Sequence, residues 1–600
     1  MALDSYETHE HEVIVIGAGG AGLRAAVEAS ARGAKTALIC KSLLGKAHTV
    51  MAEGGIAAAL GNVYPEDDWE VHFRDTMRGG KMLNNWRMAQ LHAQEAPARV
   101  LELEAWGALF DRTADGRILQ RDFGGHRYAR LAHVGDRTGL EMIRTLQQHA
   151  VHKGIDVFME CTVTRLLMDS GRIAGAFGYW RESGRFVIFR SKAVVLATGG
   201  IGKAYKITSN SWEYTGDGHA LAYRAGADLT DMEFVQFHPT GMVWPPSVRG
   251  ILVTEGVRGD GGVLKNALGE RFMFKYIPEF FRAETAETEE EADRWYTDKK
   301  NNRRTPDLLP RDEVARAINT EVKANRGSAH GGVFLDIASR RAAEYIKRRL
   351  PSMYHQFKEL ADVDITKEAM EVGPTCHYIM GGVRVDAESA AATVPGLYAA
   401  GEVAAGLHGA NRLGGNSLSD LLVFGQRAGL HAAEYAKGFK GTLTIDAGQV
   451  EAFARECLEP FERSGGENPY ALHADLQECM HTLVGIIRTE EELKKALEEI
   501  AALRERTRRI KIDGNRQFNP AWHLALDLRS LLTISEVITR AALERRESRG
   551  GHTRDDYPKP DPNFGKVNVV VRRVRDELTV SREAIPEMPS ELKTLLEGDR

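Results

Sequence analysis

The chain has 600 residues, more than one core can serve, so two to four domains are expected. Its formal charge of −5 and 27% charged residues argue against wholesale disorder and leave no global field for nucleic acid. No apolar run reaches the roughly 18–20 residues that span a bilayer, and five scattered cysteines without a CxxC pair exclude a disulfide framework or an internal iron–sulfur site.

The first element is "HEVIVIGAGGAGLRAAVEASARGAKTALICKS". Val13–Ile16 is a buried strand, Leu23–Arg32 a helix ended by Gly33, and Thr36–Cys40 the next strand. Gly17, Gly19 and Gly22 fill G-x-G-x-x-G, which gives a tight turn, a close approach to a pyrophosphate and a helix packed on its strand. A lone match also occurs as a ligand-free turn; the βαβ context makes this one a dinucleotide site. Acidic Glu10 and Glu12 before the apolar run, and Arg24 ending it, exclude a signal peptide, so the chain itself is expected to be soluble and cytoplasmic. The second strand ends in Lys41 and Ser42, where an NAD site wants a ribose-binding acid. That absence tilts the reading toward FAD.

Soon afterwards comes "KAHTVMAEGG", Lys46 to Gly55, neither a good strand nor a good helix. A second strand–glycine signal is "AVVLATGGIG" (Ala193 to Gly202), and a third is "VPGLYAAGEVAAGLHGANRLGGNSLSDLLVFG" (Val394 to Gly425), with a helix from Ser417 capped by Ser417 or Ser419. Three such signals over some 400 residues imply one nucleotide fold interrupted by insertions. Residues 242–365 lack them and read as an inserted cap, including the charge-dense, solvated run Ala283 to Pro306. Residues 448–545 turn helical, with Leu493, Leu497, Ile500 and Leu503 as a core stripe. After Glu547 the chain is polar and offers one strand, Lys566–Val571. The expected architecture is therefore α/β. A Rossmann-like FAD-binding domain (1–241 and 366–440) is interrupted by an α+β capping domain (242–365). A helical domain (441–545) and a small C-terminal domain (546–600) follow.

Short segments place His or Arg beside glycine: "FVQFHPTG" (His238), "LVTEGVRGDGG" (Thr254, Glu255, Arg258), "LLPRDEVARAI" (Arg311), "GPTCHYIMGG" (His377) and "GANRLGGNSLSD" (Arg412). Taken singly, each is more often a satisfied core or solvated side chain than a functional one. The set has no H-E-x-x-H for zinc and no G-x-S-x-G elbow for a serine hydrolase. It supplies cations and donors, which suit a small dicarboxylate: Arg grips one carboxylate in bidentate fashion, while His and Thr donate to the other.

These segments, with "HTVMAEGG" and the closing "ESRGGHTRDDYP", stand in the order found in the flavoprotein subunit of succinate dehydrogenase and fumarate reductase, a resemblance that covers the chain to about residue 560. "LLGKAHTVMAEGG" and "GAFGYWRESGRFV" look most like the actinobacterial type of succinate dehydrogenase. The resemblance implies FAD held by Gly17, Ala18, Gly19, Gly20, Ala21 and Gly22, with Lys41, Ser42, Thr49, Gly54 and Gly55. It adds Ala197, Thr198, Gly199 and Asp217, then Glu402, Asn416, Ser417 and Leu418, Glu402 taking the ribose hydroxyls. It implies a covalent bond from His48 to the flavin, with Gly54 and Gly55 giving backbone clearance. The chain departs from the family there, carrying Lys46 and Ala47 where Arg and then Ser or Thr are usual. His238 and Thr254 would hold one carboxylate, His377 and Arg412 the other, with Phe123 packed nearby. Arg311 would carry the proton through a relay of Glu255 and Arg258. The implied partners are succinate or fumarate, an iron–sulfur subunit and a quinone-binding membrane anchor, at the cytoplasmic face of the cell membrane. No metal and no nucleic acid is expected. The alternatives are fumarate reduction in the opposite direction and L-aspartate oxidase, whose non-covalent flavin His48 argues against.

Overall fold

The computed structural model describes residues 6–575 and 577–597. Its centre is a five-stranded parallel sheet of β1 (Val13–Ile16), β2 (Thr36–Ile39), β3 (Asp156–Phe158), β4 (Ala193–Leu196) and β5 (Leu397–Ala399), in the spatial order β5-β4-β1-β2-β3. β1, β2, β4 and β5 are buried throughout, as strands covered on both faces must be. Strands from positions 13, 193 and 397 lie side by side, so the nucleotide fold is assembled from distant parts of the chain. Helix α1 (Gly20–Ala31) crosses between β1 and β2. A second sheet pairs Glu7–Glu10, Phe186–Arg190, Arg172–Trp180 and Cys161–Asp169 in that order.

An antiparallel sheet of Val235–Met242, Met370–Ile379, Val333–Asp336 and Val263–Lys265 leads into the inserted segment. Helix α2 (Arg311–Lys323) packs on it. This segment has a hydrophobic core of its own, including Met242, Val257, Leu264, Ile318, Leu335 and Val372. The charge run carries a short helix, Glu289–Trp295, whose first turn is capped by Thr288 Oγ1 accepting from Glu291 N at 3.3 Å.

Beyond β5 the chain enters α3 (Asn416–Gly438), which packs along α1. Neither candidate serine caps it: the N-cap is Gly415 at φ +87°, without a side-chain bond, because only glycine takes that left-handed turn cheaply. Helices Pro469–Leu483, Glu490–Thr507 and Pro520–Glu544 follow. In the middle one the fully buried stripe is Leu493, Ala496, Ile500 and Leu503, with Leu497 only half-buried, so the apolar face is rotated by one position from the leucine spacing. The C-terminal part holds a hairpin, Val567–Val574 with Glu577–Ala584, where one strand was expected. The second strand, "ELTVSREA", is half-exposed along its length, and its charges hide it from a hydrophobicity reading. The hairpin joins Leu229–Thr230 and Gly382–Val383 in one sheet.

One buried ion cluster pins this tail to the nucleotide fold. Arg545 is fully buried and bonds Glu233, Asp231 at 3.4 Å and Glu547 at 3.0 Å. Burial pushes both the Asp231 and the Glu233 carboxyl up, the latter to about 7, against the pull of Arg545. Removing one member of such a cluster leaves buried charge uncompensated, at about 3–5 kcal/mol. Arg545→Leu should therefore lower the thermal unfolding midpoint sharply, whereas Arg582→Leu, on the exposed rim, should shift it little; scanning calorimetry of both variants checks this.

Candidate active site

The cofactor end of the site begins where β1 turns into α1. Gly17 sits at φ +109°, and a Cβ there would lie 2.2 Å from Ala197 O on the neighbouring strand end. Gly19 is the N-cap of α1 with no side-chain cap bond of its own, and the first turn carries no acid; Gly20 N donates to Thr49 Oγ1 at 3.3 Å, and the turn faces the cavity, where a helix N-terminus suits a phosphate. Gly22 has a different task from its neighbours. A Cβ on it would meet Gly17 O at 1.8 Å, so it closes the helix onto the turn and does not line the cavity. The expectation of direct cofactor contact at Gly22 is corrected accordingly.

From this turn a single cavity, enclosing about 1840 Å³ of empty space with its mouth included, runs to the inserted segment. All the remaining candidate cofactor residues line it except Asn416. The Asn416 side chain is turned inward, accepting from His72 Nε2 at 2.9 Å and donating to Thr76 Oγ1 at 3.0 Å. It fixes the start of α3, whose Ser417 and Leu418 face the cavity. Lys41 does not project freely: its ammonium is held by Asp527 at 2.7 Å, Asp217 at 2.9 Å and Thr215 Oγ1 at 3.0 Å. Burial alone would lower the Lys41 pKa; the two carboxylates more than reverse that. Asp527 lies 310 residues beyond Asp217 (527 − 217), on a helix of the C-terminal half, and no local signal marked it. Glu402 lines the cavity, one oxygen accepting from Ile379 N at 3.1 Å, and burial pushes its carboxyl to about 8.

"KAHTVMAEGG" folds as one 3₁₀ turn, His48–Met51. His48 Nε2 stands 3.3 Å from Asn210 Nδ2, its ring lies edge-on to Tyr214 at 4.8 Å, and its Nδ1 has no partner in the protein. Burial pulls its pKa down to about 4, so at neutral pH the imidazole is uncharged and keeps a nucleophilic lone pair. Gly54 and Gly55 make room first for protein: a Cβ at Gly54 would meet Phe123 Cζ at 2.9 Å, and one at Gly55 (φ +136°) would meet Ala132 O at 2.9 Å.

The far wall gathers His238, Thr254, Glu255, Arg311, His377, Arg412 and Phe123, from segments up to 289 positions apart (412 − 123). The rings of His238 and His377 are 5.2 Å apart. His238 Nδ1 accepts from Thr240 N at 3.2 Å and its Nε2 has no protein partner; His377 Nδ1 pairs with Ser209 Oγ at 2.8 Å. Burial, then nearby arginines, hold both rings well below the usual histidine range, so they are neutral. Arg412 lies 4.4 Å over the Tyr378 ring and donates to Ser417 Oγ at 2.6 Å and Gln236 Oε1 at 3.0 Å, leaving Nε without a partner.

Arg311, first residue of α2, donates from Nε to Glu255 Oε2 at 3.2 Å and from Nη1 to Gln236 Oε1 at 3.4 Å. Glu255 Oε1 accepts from Gly124 N at 2.6 Å, and Arg258 Nη2 stands 3.9 Å from Oε2. Arg258 is fully buried behind this carboxylate and does not line the cavity. Burial would raise the Glu255 pKa; Arg311 and Arg258 together lower it below the usual carboxylate range. The result is a file of guanidinium, carboxylate and guanidinium leading away from the cavity, hydrogen-bonded between Arg311 and Glu255 and held by charge alone between Glu255 and Arg258.

Gln236, Asn210, Ser209 and Tyr214 are the residues that sequence reasoning missed. Gln236 was within reach, standing two positions before His238 on the same strand. Ser209, Asn210 and Tyr214 sit on a turn after "AVVLATGGIG" that carries no pattern of its own.

The cavity fits FAD on its own features. The glycine turn approaches closely at one end, two helix N-termini lack side-chain caps, and buried polar atoms along the wall (Thr198 Oγ1, His48 Nδ1, Arg412 Nε) have no protein partner. Residues 12–418 match the FAD binding domain family, and residues 473–594 match the fumarate reductase flavoprotein C-terminal family. A chain of the CoM/CoB fumarate reductase of Methanothermobacter marburgensis is 42% identical, covering 95% of this chain and 99% of its own length. The succinate dehydrogenase flavoprotein subunit of Coxiella burnetii is 39% identical, over 95% of this chain and 96% of its own. Among solved structures, Mycobacterium smegmatis Sdh1 in complex with UQ1 is 60% identical, with a TM-score of 0.85 and coverage of 97% of this chain and 95% of that one.

At Gly17 both the positive φ and the 2.2 Å approach forbid a side chain. Gly17→Val should yield folded protein that retains little or no flavin, read as flavin absorbance per chain after gel filtration; full flavin content in that variant would contradict the assigned turn.

Proposed function

We propose that this chain, which belongs to the family of succinate dehydrogenase and fumarate reductase flavoprotein subunits, is the catalytic subunit of a respiratory succinate dehydrogenase that oxidises succinate to fumarate. It is an FAD-dependent oxidoreductase. The observation that carries the proposal is the file Arg311–Glu255–Arg258 opening on the cavity that also presents His238, Thr254, His377 and Arg412.

Bound in this cavity, FAD supplies a two-electron acceptor for a hydride. The protein's own part is to bind, orient and deprotonate. Arg412 and His377 take one carboxylate of succinate, and His238 and Thr254 take the other, which fixes the carbon chain between them. Neutral imidazoles donate without adding charge that would over-bind the product. Such positioning alone supplies several kcal/mol of the barrier. Succinate gives up one hydride and one proton, and the proton goes to Arg311. A guanidinium is normally a very weak acid, so Arg311 serves as base only by first handing its own proton to the Glu255 carboxylate bonded to it, while the charge of Arg258 behind Glu255 holds that carboxylate in place. Glu255 is suited to this, being an ionised carboxylate bonded to Arg311. Gln236 Oε1, shared by Arg311 and Arg412, keeps base and clamp in fixed relation.

His48 is the proposed site of covalent flavin attachment, supported by its neutral, partly unpartnered ring on the cavity wall. Electrons would pass to an iron–sulfur subunit and a quinone-binding membrane anchor at the cytoplasmic face of the membrane; no helix among the described residues is long and apolar enough to cross a membrane. The succinate-oxidising direction is favoured by the 60% identical Sdh1, solved with UQ1. Fumarate reduction is the second reading, favoured by the 42% identical archaeal relative named for that reaction.

Succinate-dependent dye reduction, with L-aspartate as control, tests the substrate; turnover of aspartate and not succinate would overturn the proposal. Arg311→Ala should cut turnover by about 10²–10⁴-fold while leaving flavin bound, and undiminished turnover would remove Arg311 from the role of base. On a denaturing gel under ultraviolet light, flavin fluorescence should stay with the polypeptide and vanish in His48→Ser.

A further inference from the structure

We propose that a second cavity, beside the cofactor cavity and separate from it, binds a small polyphosphate anion. It encloses about 1720 Å³ of empty space with its mouth included. Five arginines line it, each from a different element: Arg165 from Cys161–Asp169, Arg224 from Asp217–Arg224, Arg504 from Glu490–Thr507, Arg540 from Pro520–Glu544 and Arg573 from Val567–Val574. Among the described residues only two carboxylates, Glu536 and Glu577, line the same space.

Among the described residues, two carboxylates near this cavity are each shared by two arginines. Glu536 is shared by Arg504 at 2.5 Å and Arg540 at 2.8 Å. Glu456, behind the wall, is likewise shared by Arg165 at 2.5 Å and Arg529 at 2.7 Å. Arg224 has no carboxylate bonded to it among the described residues; it donates to Arg529 O at 3.0 Å and Thr533 Oγ1 at 3.3 Å. Burial, then repulsion from Arg165, pull its pKa down to about 9. Five secondary-structure elements thus bring arginines together around an opening to solvent, and among the described residues Glu536 and Glu456 each serve two arginines while Arg224 has no carboxylate bonded to it. Guanidinium groups match phosphate oxygens in bidentate pairs. A polyphosphate carries several negative charges close together, enough to meet several of these forks at once, whereas the dicarboxylates of the catalytic cavity carry two. Tyr223, Phe453, Leu166 and Met168 form an apolar wall at its side, against which an attached organic group can pack.

The two cavities share the wall residue Leu221, and the helix Asp217–Arg224 reaches both. Its first residue, Asp217, faces the cofactor cavity and holds Lys41; its last, Arg224, faces the arginine cavity. At 1.5 Å per residue the two ends are about 11 Å apart, so an anion on Arg224 does not touch the catalytic groups.

The test is calorimetric titration of sodium tripolyphosphate into the flavin-loaded protein, with succinate present to saturate the catalytic cavity. One site per chain is expected, with a dissociation constant on the order of 1–100 μM at low salt and affinity that falls steeply with added salt. Arg224→Gln and the more exposed Arg540→Gln should each weaken binding by about tenfold or more, equal to about 1.4 kcal/mol, and leave succinate-dependent dye reduction unchanged. Absence of binding up to about 1 mM, equal affinity in wild type and Arg540→Gln, or citrate binding as tightly as tripolyphosphate would each overturn the proposal.

Discussion

The geometry of the catalytic cavity hangs on one buried carboxylate. Glu255 is 3% exposed, and burial alone would raise its pKa. It stays ionised because Arg311, Arg258 and the backbone N–H of Gly124 converge on its two oxygens. These three come from different places: Arg311 from the inserted segment's helix α2, Arg258 from the turn after Thr254, and Gly124 from the nucleotide fold. A buried ion pair of this kind adds little net stability, since desolvating its members offsets their attraction. Breaking it by removing one partner is what costs. Glu255 therefore enforces an arrangement: the inserted segment and the nucleotide fold satisfy it together, in the pose in which Arg311 reaches the cavity. Gln236 extends the same constraint to Arg412, so the proposed base and half of the proposed substrate clamp are fixed in one hydrogen-bonded unit.

Everything upstream of that unit follows from parallel-sheet topology. Ligands of open α/β sheets bind beyond the carboxyl ends of the strands. Here β1 delivers Gly17, β4 delivers Ala197 and Thr198, and β5 leads to Glu402, all at the same edge. Because β1, β4 and β5 are neighbours in space but not in sequence, the segments inserted between them emerge beside the cofactor cavity. An insertion after β4 is thus placed where it can cover the cavity with no long connection. α3 closes the set from below: its uncapped N-terminus aims Ser417 and Leu418 at the cavity, and His72 and Thr76, through Asn416, hold that end in position.

How much of this was legible depends on where each signal is stored. The fingerprint, the two later strand–glycine turns and the His, Arg and Glu segments are local patterns, and the structure brings them to one cavity. Gly22 shows the limit of a motif: its spacing is part of the fingerprint, yet its work is internal packing against Gly17 O. Lys41 was conspicuous for the acid it replaces, but its partners Asp217 and Asp527 lie far along the chain, and a long-range ion triad leaves no periodicity to read. Strand Glu577–Ala584 was missed because a half-exposed hairpin strand alternates only weakly and carries charges on its open face. The caps proposed at Ser417 and Ser419 failed because Arg412 takes the first hydroxyl and His92 the second, leaving the turn to Gly415.

The segment "KAHTVMAEGG" depends on the same long-range positioning. Its unusual Lys46 and Ala47 precede the proposed tether, and their side chains do not set its position. Lys46 is exposed, and Ala47 supplies an extended N-cap to the 3₁₀ turn and lines the cavity. The imidazole of His48 is located instead by Asn210 and Tyr214, from the turn after β4, while Thr49 Oγ1 accepts from Gly20 N at 3.3 Å and ties the segment to the start of α1. Asn210 also donates to His377 O at 2.9 Å, so the group that positions the proposed tether is bonded to a member of the proposed substrate clamp. The proposed attachment at His48 then rests on burial, on the neutral ring that burial imposes and on Asn210, and none of these involves the side chains of residues 46 and 47.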